Sequence, residues 1–317
     1  MEPSALRPGH VGIVVVAYND FALLDRCLAS IRGSSYRKVE IIVVDNSTRD
    51  EVRVGLADQP DVRYHKTLEN LGFCGANNIG IEKAKALGTE YTLLLNHDAI
   101  LDRDCLERLV ARAVSLPDAG ILSGKIYHFA GEKMLWYAGG YFSRVIGAGK
   151  NLGFNERDRG QFDVFREVGY ATGCLMLIPN RVFALVGALD ERFFMYLDDI
   201  EFCLRVRKAG LKIYYEPKAT VRHDLGSGAV LRQRPDYYLY FSIRNKPLVV
   251  RGEAYTAYLY LIMLAVAGVK LMQFLIYPGI PARGSKLKAI LWGTLDAFSA
   301  VEKYQRRFPR LFSSGKR

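Results

Sequence analysis

At 317 residues, with 50% hydrophobic and 24% charged side chains, the chain has the composition of a globular protein able to bury a substantial core, which excludes long disorder. Lysine and arginine outnumber aspartate and glutamate 44 to 33, and the resulting +11 favours anionic partners such as nucleic acid, nucleotide-phosphate substrates or an acidic membrane surface. Five scattered cysteines (Cys27, Cys74, Cys105, Cys174, Cys203) lack zinc-type spacing, and MEPSALRPGH lacks an apolar signal core, so we expect reduced core cysteines and a cytoplasmic location.

The run VGIVVVAY, Val11 to Tyr18, is continuous and mostly β-branched and predicts a strand buried on both faces, followed by a helix from Phe21 to Ile31. VEIIVVD, Val39 to Asp45, predicts a second such strand; DVRYHK a short third; Cys74 to Ala86 a helix; and YTLLLN, Tyr91 to Asn96, another buried strand. Strands alternating with helices predict a parallel sheet. A further helix is expected near Asp104, with Asp104 as cap and Glu107 answering it, ending before Pro117.

In an open α/β sheet the ligand sits beyond the carboxyl ends of the strands, where this chain carries Tyr18-Asn19-Asp20, Asp45-Asn46-Ser47 and Asn96-His97-Asp98. Residues 128–170 show no clean period and predict an irregular or hairpin-containing insertion. Then follow the strand GCLMLIP, the short helix RVFALVG and the helix DDIEFCLRVRKAG, closed by Gly210. Within that helix Glu201 and Arg205 stand four apart, the spacing of a solvated pair.

The segments IVVVAYND, IIVVDNSTRD, ENLGFCGANNIGI, LLLNHDAIL, ATGCLMLIPNRVFALVGALDERFFMYLDDIEFCLRVRKAG and HDLGSG, in this order over roughly 13–245, resemble the family 2 inverting glycosyltransferases, in particular their rhamnosyltransferase-like branch. The resemblance implies an α/β A-type glycosyltransferase fold with a mostly parallel sheet. It divides the chain into a catalytic domain over 1–235, with a donor half to about 127 and an acceptor half beyond, and a helical, apolar and basic region over 236–317.

The resemblance also implies residue roles. A nucleotide-diphosphate sugar needs its leaving charge neutralised, which a divalent cation held by hard oxygen ligands achieves. The family's Asp-x-Asp metal motif stands here as Asn96-His97-Asp98, which makes Asp98 the carboxylate ligand to Mg²⁺ or Mn²⁺ and leaves Asn96 a neutral oxygen or a ribose contact. His223 falls where relatives supply a histidine to the same metal; the alternatives are a diphosphate contact or an ordinary loop hydrogen bond. The family's acidic dyad falls on Asp198 and Asp199, with Asp199 as the base that takes the acceptor's proton and Asp198 orienting the acceptor or bracing the loop. Helix capping is the structural alternative for both. Nucleoside recognition falls to Tyr18, Asn19 and Asp45; Gly72 and Gly75 would permit a close backbone approach, and Asn77 would open a helix whose amides face phosphate or ribose.

The stretch from Ala254 to Gly279 is mostly apolar but interrupted by Lys270 and Gln273, and basic residues follow it through YQRRFPRLFSSGKR. The stretch is borderline for a membrane span; we expect a helix lying on or partly in the inner, cytoplasmic face of the cell membrane, with packing on the catalytic domain or in a homo-oligomeric dimer interface as the alternative. The expected activity is transfer of rhamnose from dTDP-rhamnose to a glycan or polyprenyl-diphosphate-linked acceptor, with another hexose or galactofuranose donor as alternative. A non-catalytic assembly scaffold is the competing class. The charge alone suggests nucleic acid, but no reading module accompanies it and none is expected as a partner.

Overall fold

A computed structural model describes residues 5–129, 133–143, 147–224, 235–249, 256–276 and 283–298. In chain order the elements are β1 (Arg7–Ala17), α1 (Phe21–Arg32), β2 (Val39–Asp45), α2 (Glu51–Gly55), β3 (Val62–Lys66), α3 (Gly72–Ala86), β4 (Thr89–Asn96), β5 (Ala99–Leu101) and α4 (Cys105–Ser115). Then come β6 (Ala119–His128), β7 (Leu135–Tyr137), β8 (Gly140–Ser143), β9 (Ala148–Asn151), β10 (Arg166–Glu167), β11 (Leu175–Pro179), α5 (Asn180–Val186), α6 (Asp198–Lys208), β12 (Lys212–His223), α7 (Asp236–Arg244), α8 (Thr256–Ile276) and α9 (Arg283–Phe298).

The main sheet runs β10-β12-β6-β11-β4-β1-β2-β3, with β5 on β12 and β7 on β6. The expected parallel strands are its half β4-β1-β2-β3, parallel at every step. Beyond β4 the sheet is mixed, because β11 runs antiparallel to both β4 and β6 while β6 and β12 are again parallel. The β-branched runs are buried as two-faced strands should be: Val11, Ile13, Val14 and Val15 on β1 and Ile42, Val43 and Val44 on β2 have no exposed surface. All five cysteines are free and buried.

Three local expectations change. The helix carrying Asn77 opens at Gly72, so Asn77 sits a full turn inside it. Its opening amides are already used, since Phe73 N and Cys74 N donate to Phe194 O at 2.6 and 3.2 Å. Asp104 precedes α4 but caps nothing: its near-helical backbone (φ −96°, ψ 3°) lacks the extended geometry that turns a capping side chain onto the first amides, and Glu107 instead accepts from Ser35 Oγ at 2.6 Å. Arg205 is more than half of a solvated pair; besides Glu201 at 2.7 Å it donates to the carbonyls of Val186 and Ala188, tying α6 to the turn after α5.

The chain divides into two compact units, the first comprising 1–141, 150–194 and 199–224 and the second 142–149, 195–198 and 225–317. The division thus falls near 224 rather than 235, and the expected donor and acceptor halves share the first unit. In the second unit Asn245 is fully buried and its Nδ2 donates to the carbonyls of Met195 and Tyr196, both at 2.9 Å. Tyr240 donates to Asp296 at 2.7 Å, and Tyr260 stacks on Phe298 with ring centroids 4.7 Å apart.

Candidate active site

The ends of β4, β1 and β2 lie in register, with Val16 beside Asn96 and Ala17 beside Asp45, so the three polar clusters do meet along one edge. Asn19 knits two of them. In a left-handed conformation (φ 54°), which asparagine tolerates, its Oδ1 accepts from Thr48 N at 3.0 Å and Arg49 N at 3.2 Å, and its own amide donates to Ser47 Oγ at 2.8 Å. Tyr18 stands beside it, exposed.

Asp45 has no exposed surface. Oδ1 accepts from Ser47 N at 2.9 Å, and Oδ2 takes Tyr64 Oη at 2.8 Å and Lys66 Nζ at 3.1 Å. The carboxylate therefore organises the loop, and a direct nucleoside contact requires one of these partners to give way. Tyr64 and Lys66 are the residues sequence reasoning missed. Their signal was the two-residue alternation on β3, which puts both on one face beside β2, with Lys66 in register with Asp45. Asn77 is also buried, its Nδ2 donating to Phe73 O at 2.9 Å, so it braces α3 from inside.

Beyond β4 the chain turns sharply, and the backbone carbonyl of Asp98 accepts from Asp224 N at 2.9 Å, joining this turn to the end of β12. The carboxylate lies against His223, Oδ1 to Nε2 being 3.0 Å, while Asn96 Nδ2 is 3.2 Å from the same nitrogen. That nitrogen carries at most one hydrogen, so it either donates towards Asp98 or accepts from Asn96. Burial disfavours an imidazolium at His223, but the adjacent Cys174 and Asp98 outweigh it and raise the pKa well above the ordinary value. For Asp98, burial works towards the neutral acid; His223 and His97 outweigh it and hold the carboxyl below its ordinary range. The edge of Trp136 meets the His223 ring, centroids 4.9 Å apart, and fixes its plane.

Among the described residues no three His, Cys, Asp or Glu side chains gather into a complete cation cage. His223 Nδ1 is nonetheless buried without a hydrogen-bond partner, and Asp98 Oδ1 has the His223 ring beside it. A carboxylate beside an imidazole suits a divalent cation, Mn²⁺ better than Mg²⁺, once the ring is neutral, with the remaining ligands coming from substrate phosphates and water.

Asp199 lies at the head of α6, with Oδ2 accepting from Gly173 N at 3.1 Å and Oδ1 from Ile200 N at 2.8 Å. Burial raises its pKa above the ordinary value, against the pull of these amides. The next residue after Gly173 reaches the other carboxylate's strand: Cys174 O accepts from Asn96 N at 3.2 Å. Two consecutive residues, Gly173 and Cys174, therefore join Asp199 to the end of β4. The chain entering α6 is strained, with Phe194, Tyr196 and Leu197 at φ 61°, 67° and 66°. Asp198 is buried in the second unit's segment of this turn.

Polar strand ends on a parallel half-sheet, an acidic residue just past β4 and a half-buried carboxylate at a helix head fit the A-type glycosyltransferase fold. A crystal structure of GalNAc-T7 with UDP, GalNAc and Mn²⁺ shares that fold with a TM-score of 0.57 at 17% identity, over 73% of this chain and 48% of that one. The chain belongs to glycosyl transferase family 2, whose model matches residues 12–185. It is a glycosyltransferase by that membership, and its relatives are glycosyltransferases too. These include the low-salt glycan biosynthesis hexosyltransferase Agl10 of Haloferax volcanii, 27% identical over 74% of each chain. The N-acetylglucosaminyl-diphospho-decaprenol L-rhamnosyltransferase of Mycobacterium tuberculosis is 29% identical, covering 67% of this chain and 75% of its own. The dTDP-rhamnosyl transferase RfbF of Shigella flexneri is 24% identical over 75% of this chain and 79% of its own.

Proposed function

We propose that the protein is an inverting, divalent-cation-dependent glycosyltransferase that moves rhamnose from dTDP-rhamnose to a glycan or polyprenyl-diphosphate-linked acceptor in cell-envelope polysaccharide synthesis. The observation that carries the reading is the Gly173–Cys174 link, which couples a half-buried carboxylate of raised pKa to the strand end bearing Asp98. Two rhamnosyltransferases among the relatives support the sugar, and the decaprenol-linked substrate named for one supports the acceptor.

In this mechanism Tyr18, Asn19 and the loop organised by Asp45 receive the nucleoside, and Asn96 contacts the ribose or the diphosphate. Asp98 and His223 would hold the cation, and Mg²⁺ or Mn²⁺ there would supply positive charge against the departing diphosphate. Asp199 takes the proton from the acceptor hydroxyl as that oxygen attacks the anomeric carbon from the face opposite the leaving group. Its two amide donors fix the carboxylate, and burial raises its basicity towards the working pH. Asp198 braces the turn that delivers Asp199.

Asn96 in place of a second acidic residue leaves one charge fewer at the cation, which favours a non-catalytic scaffold as the second reading. Purified protein screened against dTDP-rhamnose, other nucleotide hexoses and UDP-galactofuranose, each with Mn²⁺, separates the two. The account expects dTDP-rhamnose to raise the melting temperature most, because a ligand bound only to the folded state stabilises it by mass action, and to be hydrolysed slowly. Another donor preferred in both assays reassigns the sugar; no shift and no hydrolysis with any of them establishes the scaffold.

A further inference from the structure

In the second unit α8 is apolar on both sides. Leu259, Met263 and Ala267 face inward and are buried, while Tyr258, Leu261, Leu264, Val269, Met272 and Ile276 are exposed at spacings of three to five residues. From Tyr258 to Ile276 that outer stripe runs about 27 Å at the helical rise of 1.5 Å per residue. Lys270 is the one charged residue in α8. A helix apolar all round ordinarily lies inside a protein or in lipid.

The next helix is inverted relative to a soluble one. In α9 the polar Lys286 and Asp296 are buried, Lys286 Nζ lying 3.9 Å from Asp236 and Asp296 accepting from Tyr240, while Leu291, Trp292, Leu295 and Phe298 are exposed. Stacking of Tyr260 on Phe298 and the bond from Tyr260 Oη to Ala297 O, 2.9 Å, pin the two helices together.

We propose that α8 and α9 together form an interfacial docking surface for an anionic lipid bilayer. No helix among the described residues is long and apolar enough to cross a membrane, so the surface lies in the headgroup and upper acyl region with its outer stripes facing the lipid. Charge selects lipid over a second copy of the chain. From Arg283 to the last residue the sequence has nine basic and two acidic residues; Lys286 is turned inward, and the net positive charge of the rest draws anionic headgroups while disfavouring the pairing of two copies. The proposal rests on the second unit alone and stands or falls independently of the sugar, the cation and the base.

The test uses the full chain and two vesicle compositions, phosphatidylcholine alone and phosphatidylcholine with phosphatidylglycerol. The protein is expected to sediment with the anionic vesicles, and high salt should release only part of it, because the apolar contribution is unscreened. Brominated lipid in those vesicles should quench the tryptophan emission of the wild type, and Trp292→Phe should remove the lipid-dependent part. The triple variant Leu261→Glu, Val269→Glu, Leu295→Glu changes only exposed positions and should lower partitioning at least ~10-fold while keeping the wild-type melting temperature. Protein left in the supernatant with both compositions overturns the proposal. So does a compact dimer in buffer that the triple variant converts to monomer, since the face would then be a self-interface. A triple variant with a lowered melting temperature is replaced by Leu261→Gln with Leu295→Gln, for which undiminished sedimentation also overturns it.

Discussion

As the proposed base, Asp199 has a proton affinity raised by desolvation and a position fixed by two backbone amides. Asp199→Asn keeps the volume and one acceptor oxygen but cannot take a proton. It should retain donor affinity and lose transfer by at least ~10²-fold, the usual scale for a general base; loss confined to Asp198→Asn instead would exchange the roles of the pair. Because the pKa is raised, the acidic limb of the wild-type rate profile should lie above the ordinary carboxylate range. The same shift fixes a sign for stability. A carboxyl with a folded-state pKa above its unfolded value contributes stability below the unfolded pKa and loses it as pH rises through the folded one. The urea midpoint of the wild type relative to Asp199→Asn should therefore fall as pH rises through that window. Asp98→Ala should abolish cation-dependent donor binding while the protein stays folded, because the link from this turn to β12 is made by its backbone carbonyl, which alanine retains. Circular dichroism alongside calorimetric titration of the donor, with and without Mn²⁺, checks both halves. At this scale the sequence pointed to Asp98, His223 and Asp199 as candidates because their neighbours carry a recognisable pattern, and the structure sets Asp98 against His223. It concealed the partners of Asp45, since Tyr64 and Lys66 reach it only through the pairing of β3 on β2.

Elements were legible where one physical rule governs them. The apolar runs of β1, β2 and β4 are buried strands, and Gly210, at φ +83°, closes α6 as a left-handed cap should. The start of α3 was not legible, because its opening amides are capped by Phe194 O, over a hundred residues away, and no local signal announces that. Gly72 has a different purpose from the one its sequence suggests. It adopts φ +72°, and a Cβ there would lie 2.3 Å from the Phe194 ring, so the close approach it allows is to Phe194. Gly72→Ala should thus cost about 2 kcal/mol or more, from the left-handed backbone and the overpacking together. It should also slow transfer, since Phe194 begins the strained turn into α6; a urea titration and an assay at saturating donor measure the two effects. A variant as stable as the wild type would remove this account of the α3 and α6 junction.

Across the whole molecule, composition and pattern together marked an α/β chain with a parallel half-sheet, whereas the antiparallel β11 was hidden. GCLMLIP is as apolar as the parallel strands, and strand direction leaves no trace in hydrophobic pattern. The unit division near 224 was equally hidden, because 142–149 and 195–198 join the second unit through tertiary contacts such as that of Asn245 with Met195 and Tyr196. The +11 charge named a class of partner without choosing among its members, and the motifs and family membership make the choice in favour of a nucleotide-sugar donor. The central claim is transfer with inversion, and it is tested most directly on the intact protein with dTDP-rhamnose, a polyprenyl-diphosphate-linked N-acetylglucosamine acceptor and Mn²⁺. The measurement is the anomeric configuration of the product by NMR, with a parallel reaction in chelator. The account predicts a single glycoside of configuration opposite to that of the donor, formed with release of dTDP and absent in chelator. A product that retains the donor's configuration, or transfer that proceeds undiminished in chelator, would contradict it.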